Sequence, residues 1–224
     1  CFWVQYHPRV RVNMPPLLSE LFGMPCMALP NYLNVTLTPS NPILHTSRLY
    51  SMFKDYKEGR FYEKNFLFYQ EWDDLSSETL LKCDNELQQL LKRIPELDLS
   101  YVKSLKEHYE SKTAEEMTNK ISHIPSFAGI TSPMVEIESG KWIPDWNSRY
   151  FTADFSYGLA IIKGLAEIFD AGVPMIDKVL RWYSNVTGQE YYKGQNFTGI
   201  SLKNTGIPQR YGYDVKERIL SIYK

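Results

Sequence analysis

Residues 73–94 read DDLSSETLLKCDNELQQLLKRI, and no other stretch constrains the fold as strongly. Leu80, Leu87, Leu90, Leu91 and Ile94 recur at the spacing of a 3.6-residue helix, so they gather along one side of it. Acidic residues open the segment, Lys92 and Arg93 close it, and Pro95 follows. That order complements the helix dipole and ends in a residue that cannot continue the ladder. A helix of this length with one apolar side has to bury that side against neighbouring elements.

The neighbours carry the same signature. From residue 42 the pattern is helical: Pro42 suits a first turn, Ser40 or Asn41 suits the cap, and Leu44, Leu49 and Phe53 mark the apolar side. LDLSYVKSLKEHYES and TAEEMTNKISHI predict two shorter amphipathic helices. SYGLAIIKGLAEIFDAG is apolar on most sides and predicts a buried central helix. VPMIDKVLRWYSNVTG places proline in its first turn and glycine after its end, and DVKERILSIYK predicts a last amphipathic helix. Residues 125–148 break this rhythm with short apolar pieces, Gly and Pro, and predict a long loop or short hairpin. The fold class expected is mainly α.

Residues 1–36 differ from the rest. VQYHPRVRV suits a short strand, MPPLLSELFG a short helix closed by Gly23, and MPCMALPNYLNVTL an extended run. This strand-helix-strand piece has too little apolar surface to fold alone, so it is expected to be the end of a domain mostly lacking here. Residues 37–224 then form one helical domain.

Composition excludes several function classes. Net charge is -1, without the basic surplus that nucleic acid or an anionic membrane demands. No stretch approaches the roughly 18 consecutive apolar residues of a membrane span. Cys1, Cys26 and Cys83 are odd in number and lack CxxC spacing, so neither a disulfide framework nor a zinc site is expected, and a cytoplasmic location is the default. HxxxH and HExxH are absent as well. Aromatic residues reach 14%, which suits either a core built from rings or an oligomer interface, a homodimer among them.

Of four histidines, His7, His108 and His123 sit in turns or among charges and read as surface residues. His45 differs. In SNPILHTSRLY it lies four residues after Asn41, so the two side chains share a helix face. It is either a structural residue or an acid/base, and the latter role needs a carboxylate to orient the ring and stabilise its charged form. DWNSRYFTADFSYGL supplies Arg149 and Asp154 at the entrance of the buried helix. Asp154 can simply cap that helix and Arg149 simply pair with it. Together they can equally provide a carboxylate clamp beside a charge for an imidazole.

NPILH at 41–45, SRYFTADFSYGL about a hundred residues later, and AGVPMIDKVL after it resemble the C-terminal domain of the octopine/nopaline (opine) dehydrogenase family. The resemblance runs in order over roughly residues 15–186. It implies a Rossmann domain for NAD or NADP, whose severed end is residues 1–36, joined to a helical substrate-binding and dimerisation domain over 37–224. It also implies reduction of the imine between a 2-oxo acid and an amino acid. His45 and Asp154 are then the catalytic acid/base dyad, Arg149 the group that grips the oxo-acid carboxylate, and Asn41 a further substrate contact. The sequence departs from the family in having Thr46 where a proline usually follows the histidine. It also lacks any G-x-G-x-x-G, so the cofactor site is expected outside this chain, which is expected to be inactive alone. Two rivals predict differently. A non-catalytic helical interaction module leaves His45, Arg149 and Asp154 scattered, and a ketopantoate-like dehydrogenase reduces a 2-oxo acid without an amine.

Overall fold

The computed structural model describes residues 14–223. The strand expected over VQYHPRVRV, and His7 with it, fall outside that range. Met14–Phe22 form helix α1, closed by Gly23 at φ 63 as its position predicts. The extended run expected next is not extended throughout: Leu33–Thr36 coil into the short helix α2. Leu33 and Leu37, four apart, both go into the core, and the amide of Asn34 donates to the Asp98 carbonyl at 2.9 Å. One-sided burial and that anchor favour a turn of helix over a strand.

Ser40–His45 form a single wide turn of π-helix that runs directly into α3, Thr46–Phe53. The cap expected from Ser40 or Asn41 is not made; Pro39 precedes the turn and no side chain caps it. The Thr46 hydroxyl instead donates to the Pro42 carbonyl at 2.6 Å. Helix α4 is Asp74–Leu91, and Asp73 caps it by accepting from the Ser76 N–H. Leu80, Leu87, Leu90 and Ile94 are buried, and Leu91 is half-buried against them. Helix α4 packs against α3 on one side.

The helix expected over LDLSYVKSLKEHYES shrinks to one turn, Leu105–His108 (α5). It ends where Glu110 takes a positive φ of 53, which a helix cannot accommodate. Ala114–Ser122 form α6, opened by a reciprocal cap between Thr113 and Glu116. Residues 125–148 contain the expected hairpin: strands Met134–Glu138 (β1) and Lys141–Pro144 (β2) pair antiparallel, with Val135 opposite Ile143. This is the only sheet among the described residues, so the architecture is mainly α.

Arg149–Thr152 form α7, and a second wide π-turn, Phe155–Leu159, leads into α8, Ala160–Ile168. Pro174 starts α9, Pro174–Thr187, and Gly188 at φ 69 ends it. The Glu86 carboxylate on α4 accepts from the Met175 and Ile176 N–H groups at 2.7 and 2.9 Å, satisfying donors at the exposed start of α9. Lys216–Ser221 form α10. The aromatic residues serve largely as core: Phe53, Phe68, Phe151 and Phe155 are fully buried, and Phe155 stacks on Tyr183 at 4.1 Å. The outcome is a helical body in which α4 contacts α3, α6 and α9, with the two wide turns packed against each other beside it.

Candidate active site

The two wide turns bring together residues 109 positions apart. His45 ends the first turn, Asp154 immediately precedes the second, and His45 Nδ1 lies 2.8 Å from Asp154 Oδ2. Turns of this kind re-aim side chains and recur at functional sites. Their contact depends on a small residue. A Cβ on Gly158 would come within 3.0 Å of Pro42 Cβ and Cγ, so glycine permits this approach where any other residue would push the turns apart.

Asp154 therefore does not cap the buried helix; its side chain is committed to His45. The side chains are 12% and 17% exposed, shielded enough to strengthen their attraction yet open at one edge. An ionised carboxylate only accepts hydrogen bonds, so Nδ1 donates to it. The other ring nitrogen, Nε2, lies 2.8 Å from the Tyr69 hydroxyl. A neutral ring with its proton on Nδ1 accepts at Nε2, which makes the tyrosine the donor. Phe68 meets the imidazole edge-on at 5.6 Å and Tyr150 lies tilted against it at 4.6 Å. Burial raises the Tyr69 phenol well above its ordinary range, and nearby Tyr150, Tyr109 and Asp154 reinforce the shift, so it stays an O–H donor at neutral pH.

Asn41 and Asp154 line one cavity of about 510 Å³, together with Pro42 and Tyr157 from the two turns. Asn41 is exposed at its rim. Arg149 is exposed at the start of α7, five residues before Asp154, and its charge offsets part of the upward shift that burial imposes on the Tyr150 phenol. No ion pair joins Arg149 to Asp154, whose ion-pair partner is His45. A larger open depression of about 660 Å³, lined by Tyr50, Lys54 and Arg181 among others, contains no such pairing of an imidazole and an acid. Among the described residues, no three His, Cys, Asp or Glu side chains gather closely enough to hold a metal ion.

Three residues around the dyad escape motif reading: Tyr69, Tyr150 and Arg48. Tyr150 lies inside SRYFTADFSYGL, but nothing in that segment signals that its ring faces a histidine. Tyr69 belongs to the irregular stretch NFLFYQEW, which has neither helical nor strand period. That stretch is tied down by backbone bonds, Phe68 N–H to Ile130 O and Ser132 N–H to Phe66 O, both 2.8 Å. From below, the buried Arg48 guanidinium donates to the Phe68 carbonyl at 3.0 Å and the Glu71 carbonyl at 2.5 Å.

Residues 28–187 match the model of the NAD/NADP octopine/nopaline dehydrogenase alpha-helical domain. This chain belongs to the octopine/nopaline dehydrogenase family. The matched span contains His45, Asp154, Asn41, Arg149, Tyr69 and Arg48. The chain is 31% identical over 212 residues to the tauropine dehydrogenase of Arabella iricolor, covering 90% of this chain and 50% of that protein. It is 32% identical over 202 residues to the opine dehydrogenase of Haliotis discus hannai, covering 86% of this chain and 49% of that one. A solved structure of octopine dehydrogenase in complex with NADH and agmatine superposes with a TM-score of 0.82 at 26% identity, over 95% of this chain and 55% of that one. The chain thus spans about half the length of the relatives it matches. The helical fold of this family member is the one that octopine dehydrogenase uses.

Proposed function

We propose that the complete protein is an NAD(P)-dependent opine-type dehydrogenase that reductively joins a 2-oxo acid to the amino group of an amino acid, with this chain contributing its acid/base. The observation that carries the reading is the 2.8 Å contact between His45 Nδ1 and Asp154 Oδ2 across 109 residues, which a non-catalytic packing module has no need to build. Family membership supports it from an independent side.

Among the described residues the sheet is an antiparallel hairpin, and no glycine-rich turn leads from a parallel strand into a helix. The nucleotide is assigned to a further domain of the protein, of which residues 1–36 are the proposed end. This chain supplies the groups that handle protons and hold the substrates.

Joining an amine to a ketone expels the carbonyl oxygen as water, a departure that needs a proton, and the amine must lose one. An imidazole whose Nδ1 is bonded to a carboxylate can do both, because Asp154 stabilises the imidazolium that forms when Nε2 takes up a proton. Arg149, exposed on α7, is assigned to the oxo-acid carboxylate, which its planar fork can hold in two parallel hydrogen bonds. Asn41, on the rim of the cavity that reaches Asp154, is assigned to orienting the substrate.

The test is oxidation of NADH or NADPH by the full-length protein, offered a panel of 2-oxo acids with and without amino acids. The reading predicts turnover that requires both substrates. Equal rates without the amino acid would move the protein to the ketopantoate-like class of plain oxo-acid reductases.

A further inference from the structure

We propose that Tyr69 is a positioning residue for the acid/base, holding the Nε2 edge of His45, the nitrogen that Asp154 leaves to gain and lose the proton. The inference rests on the dyad reading and extends it to a residue outside both sequence motifs. With Asp154 at Nδ1 and the Tyr69 hydroxyl at Nε2, each at 2.8 Å, both edges of the ring are held. The carboxylate can only accept, so Nδ1 keeps its proton in both charge states and the exchange falls to Nε2. A hydroxyl suits that position because it serves either state. It donates to the bare nitrogen and, after rotating about its C–O bond, accepts from Nε2–H.

Of the side chains packed on the ring, Phe68 is apolar and Tyr150, from α7, lies at 4.6 Å with its hydroxyl hydrogen-bonded to that of Tyr69, so Tyr69 is the phenol that meets Nε2 directly and Tyr150 stands behind it. The titratable and charged groups facing this centre are therefore Asp154, Tyr69 and Tyr150, with Arg149 acting on Tyr150 and Tyr109 on Tyr69.

Tyr69 is held in place from two sides. Its ring is buried and stacks on Phe127 at 4.2 Å. Arg48, itself only 3% exposed, grips the backbone on either side of it through the Phe68 and Glu71 carbonyls and ends against Ser76 Oγ at 3.1 Å and Asp73 Oδ2 at 3.3 Å. Burying a guanidinium is costly unless its donors are used, and here two of them fix the peptide that carries Tyr69.

The deciding variant is Tyr69→Phe in the full-length protein, which removes one oxygen and leaves the stack. The expected result is a kcat lowered roughly two- to tenfold, the size of one hydrogen bond. KM for both substrates should stay within about twofold and the melting temperature nearly unchanged, while the pH profile of kcat shifts. In ¹⁵N spectra the His45 Nε2 resonance should move while the Nδ1–H signal persists. Should the variant fail to fold, 3-fluorotyrosine placed at position 69 keeps the ring and makes the phenol a stronger donor to bare Nε2, which should move the pH limb downward. An unchanged pH profile in whichever variant folds overturns the inference, as does a loss of stability with kcat per folded molecule intact. His45→Gln, run alongside, separates the two claims. If it abolishes turnover while Tyr69→Phe changes nothing, only the role of Tyr69 falls; if it retains turnover, the dyad falls and Tyr69 with it.

Discussion

Asp84 gives the protein a stability that should decline as pH rises, and the effect can be worked from its surroundings. It lies on the buried side of α4 at 2% exposure. Oδ2 accepts from the Leu105 N–H at 2.9 Å, whereas Oδ1 has no partner. Desolvation raises its pKa from 3.8 to about 6, against smaller lowering effects from the Leu105 N–H, Gln88 and Lys106. The folded protein thus binds this proton more tightly than the unfolded chain does. Stability from the group is fully present below pH 3.8 and is lost as pH rises through about 6. Two pKa units correspond to about 3 kcal/mol. Asp84→Asn keeps an oxygen for Leu105 and removes the charge, so it should flatten this dependence. Urea unfolding of both proteins between pH 4.5 and 7.5 reads the difference directly. The variant should gain on the wild type as pH rises, reaching an advantage on the order of 2–3 kcal/mol at pH 7.5. A stability difference that stays constant over that range would refute the reasoning, because it would mean that Asp84 titrates in its ordinary range.

Other consequences are equally specific. Gly158→Ala forces a Cβ to within 3.0 Å of Pro42, so it should cost about 1–3 kcal/mol and lower kcat together with stability. Pro42→Gly, which removes both the Cβ and the Cγ that the new methyl meets, should recover part of both losses in the double variant, as thermal melting and steady-state kinetics can show. Glu86→Ala leaves the Met175 and Ile176 N–H groups at the start of α9 without their acceptor and should cost about 1–2 kcal/mol in a urea titration, with kcat unaffected. Lys163→Met removes the cation shared by Asp177 and Glu167; because Asp177 is 26% exposed and keeps the Tyr192 hydroxyl at 2.6 Å, the cost in a urea titration should be about 1–3 kcal/mol.

How far the sequence reveals all this depends on whether a feature is local. Helices α4, α6 and α9 could be read because caps, apolar spacing and end residues all lie within each segment, as with Asp73, the Thr113–Glu116 pair and Pro174–Gly188. The meeting of His45 with Asp154 was legible for a related reason: both sit in segments whose order and spacing carry family likeness. The wide turns were not, since an α and a π turn differ by one residue of pitch and share the same apolar pattern. Pro42 facing Gly158 is a tertiary cause that neither segment contains by itself. The cap expected from Ser40 or Asn41 failed because the Thr46 hydroxyl and the wide turn satisfy the backbone differently. Tyr69 was invisible because its position comes from Arg48 and from residues 130–132, both distant in the chain, whereas NFLFYQEW carries no periodicity of its own. Even so, an arginine inside the apolar pattern of α3 was a usable clue that something nearby required a buried guanidinium.

The dyad itself is tested most directly by a double-mutant cycle on kcat in the full-length protein, using His45→Gln, Asp154→Asn and both together. The account predicts that each single variant loses roughly 10²- to 10⁴-fold in kcat with its fold retained, and that the double variant is no worse than the poorer single. Near-normal turnover in either single variant, or losses that multiply in the double as they do for independent sites, would contradict it.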